Sequence, residues 1–133
     1  MKILGKTFTL TVPLYDNDGN ATPQAVYDRL NAITKTVGGC TVHQVHGEWI
    51  GSDGTVYVDE NAVYTWNFGD EDAEELEYKF NLAILGLFSI LNQEAVMFKL
   101  GETAYIEEKH SKDYFRGMEN AIKTYLKGDK NNG

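Results

Sequence analysis

From Thr7 to Tyr15 the chain alternates. Phe8, Leu10, Val12 and Leu14 are apolar, and Thr7, Thr9 and Thr11 lie between them. A period of two predicts a half-buried strand, with Pro13 near its end, where a lost ladder hydrogen bond matters least. Asp16 to Asn20 reads as a polar turn. The period then becomes helical: Val26, Leu30, Ile33 and Val37 share one face, behind a Thr22-Pro23 start with Thr22 as N-cap. Gly38-Gly39 ends that helix. Cys40 to Ile50 and Thr55 to Phe68 read as two strands joined by the tight turn Gly51-Ser52-Asp53-Gly54, hence a hairpin. Asp59-Glu60-Asn61 interrupts the second of these strands and predicts a bulge.

A second helix follows Gly69-Asp70, with Asp72 and Glu75 spaced as a capping box. Leu76, Phe80, Ala83, Leu87 and Leu91 form its buried stripe, widened by Ile84 and Phe88. Glu94 to Leu100 and Glu102 to Glu107 read as one strand broken at Gly101. Ser111 is the expected cap of a last helix, whose face carries Tyr114, Met118, Ala121 and Tyr125 and which Gly128 ends. The order β-α-β-β-α-β, then α, predicts an α+β, ferredoxin-like βαββαβ sandwich with an additional C-terminal helix. The expected layout is a single domain over residues 1–128 and a flexible tail at 129–133. Helices would cover one sheet face and leave the other open, unless the last helix or a second subunit covers it.

Length and composition fit this picture. A chain of 133 residues that is 42% apolar and 24% charged is of ordinary domain size and composition. The lone cysteine, Cys40, forms no internal disulfide and is expected to be a small buried side chain. No basic-then-apolar leader opens the chain, and the apolar stretch Leu82 to Leu91 is too short to span a bilayer. A cytoplasmic protein with no membrane contact is therefore expected. The net charge of −8 argues against direct nucleic-acid binding, which needs basic surface. The charge is concentrated: residues 1–98 carry 14 acidic and 5 basic side chains.

Candidate chemistry is sparse. Asp16, Asp18 and Asn20 mimic the start of a calcium loop, but Ala21 and Tyr27 stand where glycine and glutamate are required. Cys40, His43 and His46 are zinc-ligand types, yet residues three apart on a strand point to opposite faces, so no metal site is predicted. His46 and Glu48 share a parity and could pair as acid and base, but no nucleophile accompanies them. No catalytic residue and no cofactor is assigned. Tyr64, Trp66 and Phe68 share the core face, which puts Tyr57, Val63 and Thr65 on the opposite face as a candidate homodimer surface. Asp70, Glu71, Asp72, Glu74, Glu75 and Glu77 form the densest acidic run, a candidate binding surface for a protein partner with a basic groove.

From Gly39 to Trp49 the run G-C-T-V-H-Q-V-H-G-E-W, with Gly39, Thr41-Val42 and Gly47-Glu48-Trp49, resembles a pattern of DUF3574, a family of small uncharacterised domains. The resemblance continues through Gly54, Glu60 and Val63 to the N-Q-E-A-V run at Asn92 to Val96. It spans residues 8–107 and leaves the last helix unmatched. It implies a ferredoxin-like sandwich and carries no catalytic residues.

Two functions are consistent with these features. The first is a small acidic, non-catalytic protein-binding module, in its sharper form a phage or mobile-element inhibitor of a host nucleic-acid-handling defence enzyme (anti-CRISPR-like). The second is a dimeric ferredoxin-like small-molecule-binding protein or enzyme, with its pocket between sheet and helices.

Overall fold

The computed structural model describes residues 1–109 and 114–128. Its elements run β1 (Lys6–Pro13), α1 (Gln24–Val37), β2 (Thr41–Ile50), β3 (Val56–Phe68), α2 (Ala73–Ser89), β4 (Ala95–Leu100), β5 (Thr103–Glu108) and α3 (Tyr114–Lys127). The strands form one antiparallel sheet in the order β2-β3-β1-β4-β5. The first four strands have the expected split-βαβ arrangement, and β5 is an addition at the edge.

That addition corrects the expectation of one strand broken at Gly101. Leu100 pairs with Thr103, so Gly101-Glu102 is a two-residue hairpin turn. Gly101 has φ +61°, the value a turn with glycine at its first central position requires. The predicted bulge at Asp59-Glu60-Asn61 is also absent: β2 and β3 pair in unbroken register from Thr41↔Thr65 to Ile50↔Val56. Polar residues there mark exposure, because β1 ends at Pro13 opposite Asn61 and β3 runs on beyond it.

One core lies between the sheet and the helices. Phe8, Leu10 and Val12 of β1 meet Trp66 and Phe68 of β3, Val96, Phe98 and Leu100 of β4, and the stripes of α1 and α2. Phe8 is its centre, with ring centroids 4.0 Å from Phe80, 5.6 Å from Trp66 and 6.4 Å from Phe98. The Trp66 indole N–H donates to Thr34 Oγ1 at 2.9 Å, which satisfies its polar edge.

Both helix starts differ from expectation. Pro23, not Thr22, occupies the cap position of α1, and the Thr22 hydroxyl donates to the Pro13 carbonyl at 2.6 Å. Asp72 precedes α2 in the left-handed region at φ +65° without a side-chain cap, and Glu75 turns to Lys79 instead. Gly38 does end α1 in the left-handed conformation, its N–H bonded to Thr34 O. On α3 the buried stripe is Met118, Ile122 and Leu126, with Ala121 and Tyr125 only partly buried beside it. Tyr114 begins α3, and the expected cap Ser111 and the tail 129–133 lie outside the described residues.

α3 joins the helical layer. Phe115 packs on Phe88, the Thr7 N–H donates to the Tyr125 hydroxyl at 2.8 Å, and Lys6 Nζ donates to Leu126 O at 2.6 Å. The opposite sheet face therefore remains uncovered by the helices. Among the described residues no helix is long and apolar enough to cross a membrane.

Candidate functional site: a groove on the open sheet face

Side chains alternate along each strand, so the open face carries the odd-numbered residues of β1, β2, β3 and β4 and the even-numbered residues of β5. Near the end of β1 these residues enclose a groove of about 420 Å³. Thr11, Pro13, Asn61 and Val63 make its floor, Ala95, Met97 and Gln93 border one side, and Val45, Gly47 and Trp49 border the other. A second concavity of about 380 Å³ adjoins it, sharing Pro13, Asp59, Asn61 and Gln93 and adding Tyr15, Asp16 and Glu60. The groove also reaches Leu87 of α2 and Val96. A further concavity of about 380 Å³ lies between sheet and helices, where the second reading expected a pocket, lined by Leu100, Thr103 and Tyr105 on the sheet and by Asn120, Ala121 and Thr124 on α3.

The groove exists because the β2–β3 hairpin is longer than β1. Beyond Pro13 the hairpin continues as a two-stranded arm without a third strand beside it. On the open face of this arm Trp49 stacks on its cross-strand partner Tyr57, with centroids 4.5 Å apart and an interplanar angle of 18°. Cross-strand aromatic pairs of this kind stabilise isolated ladders. Gly51 makes room for the pair, since a Cβ there would sit 2.7 Å from Tyr57 Cε2. The arm turns through Gly51 to Thr55, where the Asp53 carboxylate accepts the Thr55 N–H at 2.9 Å. That bond holds the Asp53 carboxyl below the usual carboxylate range.

The lining is acidic. Asp59 presents its carboxylate to the groove, Glu48 borders it with its side chain on the opposite face, Asp16 and Glu60 line its neighbour, and neither concavity is lined by lysine or arginine. Two of these carboxylates are engaged: Asp16 Oδ1 accepts the N–H groups of Asp18 and Asn20, and Glu60 Oε1 lies 3.2 Å from His46 Nδ1. The Asp59 side chain has no hydrogen-bond or ion-pair partner among the described residues, and it sits where the two concavities meet. Such a surface repels phosphate and suits a ligand that is cationic and partly aromatic.

The structure places the residues singled out in the sequence as follows. Val63 lines the groove, Tyr57 backs Trp49, and Thr65 sits beside Thr9 and Thr41 on the same open face. Cys40 is exposed rather than buried, because β2 is an edge strand and the thiol precedes it. His43 and His46 fall on opposite faces, and His46 pairs with Glu60 across the ladder rather than with Glu48. Among the described residues no three histidine, cysteine, aspartate or glutamate side chains converge to hold a metal ion. The would-be calcium loop is a turn organised by Asp16.

Much of the acidic run is bound to the chain's own lysines. Asp70 lies 3.1 Å from Lys6, Glu71 3.3 Å from Lys2, Glu75 2.7 Å from Lys79 and Glu77 3.2 Å from Lys127. Its own backbone N–H and Lys2 lower the Glu71 carboxyl, and the Lys79 hydrogen bond lowers Glu75. Asp72 and Glu74 stand beside these pairs at the start of α2.

Reasoning from the sequence missed Trp49, Asp59, Asn61, Gln93 and Met97. A usable signal was present for two of them. Trp49 and Asp59 share the parity of Tyr57 once the hairpin turn is centred on Asp53.

No family model matches the chain, and no curated protein matches it, so the DUF3574 resemblance rests on its quoted residues alone. Two solved structures share the fold. A phage SAM lyase in complex with S-methyl-5′-thioadenosine superposes with a TM-score of 0.59 at 16% identity, over 82% of this chain and 95% of that one. A phage SAM lyase in its apo state superposes with a TM-score of 0.58 at 17% identity, over 84% and 97%. These neighbours, both lyases, overturn the expectation of a non-catalytic inhibitor.

Proposed function

We propose that the chain is a small enzyme that binds and cleaves a sulfonium nucleoside, of which S-adenosylmethionine (SAM) is the type, in the groove on the open sheet face. One observation carries this reading. An acidic groove, edged by an exposed aromatic stack and lined by no basic side chain, lies on a fold that a SAM lyase also adopts. A sulfonium nucleoside has the matching parts, a flat purine and a fixed positive charge. When a carbon–sulfur bond of the sulfonium breaks, its electron pair goes to sulfur and the thioether that leaves is neutral, while the carbon either bonds to the substrate's own carboxylate oxygen, closing a lactone, or becomes part of an alkene as a neighbouring proton leaves. The Asp59 carboxylate in the groove attracts the charged substrate and holds the neutral product less strongly.

The test is direct. Purified protein incubated with SAM should release S-methyl-5′-thioadenosine, measured by chromatography. S-adenosylhomocysteine, a neutral thioether with a poorer leaving group, should remain intact. Absence of both consumption and binding of SAM at stoichiometric protein would overturn the assignment.

We further propose that two copies associate through the face bearing Tyr57, Val63 and Thr65. Support comes from the apolar side chains left exposed there, with Met97 49% and Ile106 63% accessible. A second copy on this face would roof the groove. Light scattering should then return twice the 14.9 kDa chain mass, and a monomeric mass across the micromolar range would remove the proposal.

A further inference from the structure

Resting on the sulfonium-nucleoside reading, we propose that the groove holds its ligand in one direction, with the purine on Trp49 and the cationic chain at Asp59. Trp49 and Tyr57 are not equivalent. Tyr57 covers one face of the indole, and only Trp49 of the two lines the groove. Trp49 is 50% accessible as a residue, which leaves it exposed enough to receive a second flat ring. Gly51 keeps the support in place, because a Cβ at that position would strike the Tyr57 ring.

The other end differs in chemistry. Asp59 lies two residues along β3 from Tyr57, roughly 7 Å away at the usual strand rise. That is the scale of the step from a purine across a ribose to its 5′ substituent. Its carboxylate is unpartnered among the described residues, whereas Asp16 and Glu60 beyond it are held by backbone amides and by His46. Asp59 is therefore the group that reads ligand charge, and Trp49 the group that reads the base. A site built this way distinguishes a charged nucleoside from its uncharged counterpart by one residue.

Calorimetric titration with two stable probes tests the orientation. Sinefungin carries a protonatable amine where the sulfonium would be, and S-methyl-5′-thioadenosine is neutral. The wild-type protein should bind sinefungin more tightly. Trp49→Ala should weaken both probes about tenfold or more, as loss of a stacking platform does. Tyr57→Leu should weaken both by less. Asp59→Asn should weaken sinefungin about fivefold, the size of an exposed charge pair, and leave the neutral probe within about twofold. It should also flatten the salt dependence of sinefungin binding. Equal weakening of both probes by Asp59→Asn, or of neither, overturns the orientation while leaving the substrate class standing. If the wild-type protein binds neither probe, the substrate class falls and the orientation with it.

Discussion

Replacing Phe8 with alanine is expected to lower the melting temperature by about 10–20 °C. Phe8 is completely buried on β1, the strand that pairs with both β3 and β4. Its ring contacts aromatic side chains from three elements: Phe80 of α2, Trp66 of β3 and Phe98 of β4. Truncation removes the apolar transfer term and leaves a cavity whose walls cannot all move, a loss of about 3–5 kcal/mol. Domains are stable by about 5–15 kcal/mol in total, so this single change removes a large share. Phe8→Leu keeps most of the volume and should cost less than half as much. The measurement is thermal unfolding followed by circular dichroism, with the buried Trp66 as an independent fluorescence probe. A shift below about 3 °C for the alanine variant would show that Phe8 is not the centre of the core.

Replacing Gly47 with valine is expected to separate stability from activity, moving them in opposite directions. Gly47 is not among the glycines at positive φ, so its extended backbone accepts a side chain. A Cβ there would lie 3.4 Å from Asn61 Nδ2 and 3.9 Å from the Asp59 carbonyl oxygen, both ordinary contacts. A glycine inside a strand costs about 0.5–1 kcal/mol relative to alanine, and a β-branched residue suits a strand better still. The melting temperature should therefore hold or rise by a few degrees. The same side chain projects into the groove between Val45 and Trp49, opposite Asp59. Release of S-methyl-5′-thioadenosine from SAM should fall about a hundredfold or vanish, because a groove of this size has little room to spare beside a nucleoside. Loss of activity with retained stability cannot be attributed to unfolding. Unchanged turnover in a stable Gly47→Val protein would place the chemistry elsewhere on the molecule.

These two residues also divide what was legible from what was not. Phe8 declares itself in the alternation of β1, as Trp66 and Phe68 do in β3 and Leu76, Phe80 and Leu87 do in α2. Periods of two and 3.6 residues are local properties of the backbone, so they can be read along the chain without knowing its fold. Gly47 gives no such sign. In the linear sequence it is one glycine inside a strand, and its role depends on Asp59, twelve residues away, and on β1 ending at Pro13. Gly101 is a similar case: a break in one strand and a turn between two look alike until Leu100 is seen to pair with Thr103. Cys40 was misplaced for the same reason, since the edge position of β2 is a long-range fact, and so are the ion pairs that Lys2, Lys6 and Lys127 make with the acidic run.

The sequence by itself determined that this is an α+β chain, where most of its helices and strands run, and which parity of β1 and β3 enters the core. Each of these follows from hydrophobic periodicity, a short-range property. The tertiary structure alone decided that the groove exists, that it opens on the face away from the helices, and that Trp49 and Asp59 both line it. A concavity is a relation between strands. It is set by where one strand stops while its neighbour continues, and no residue carries that information on its own.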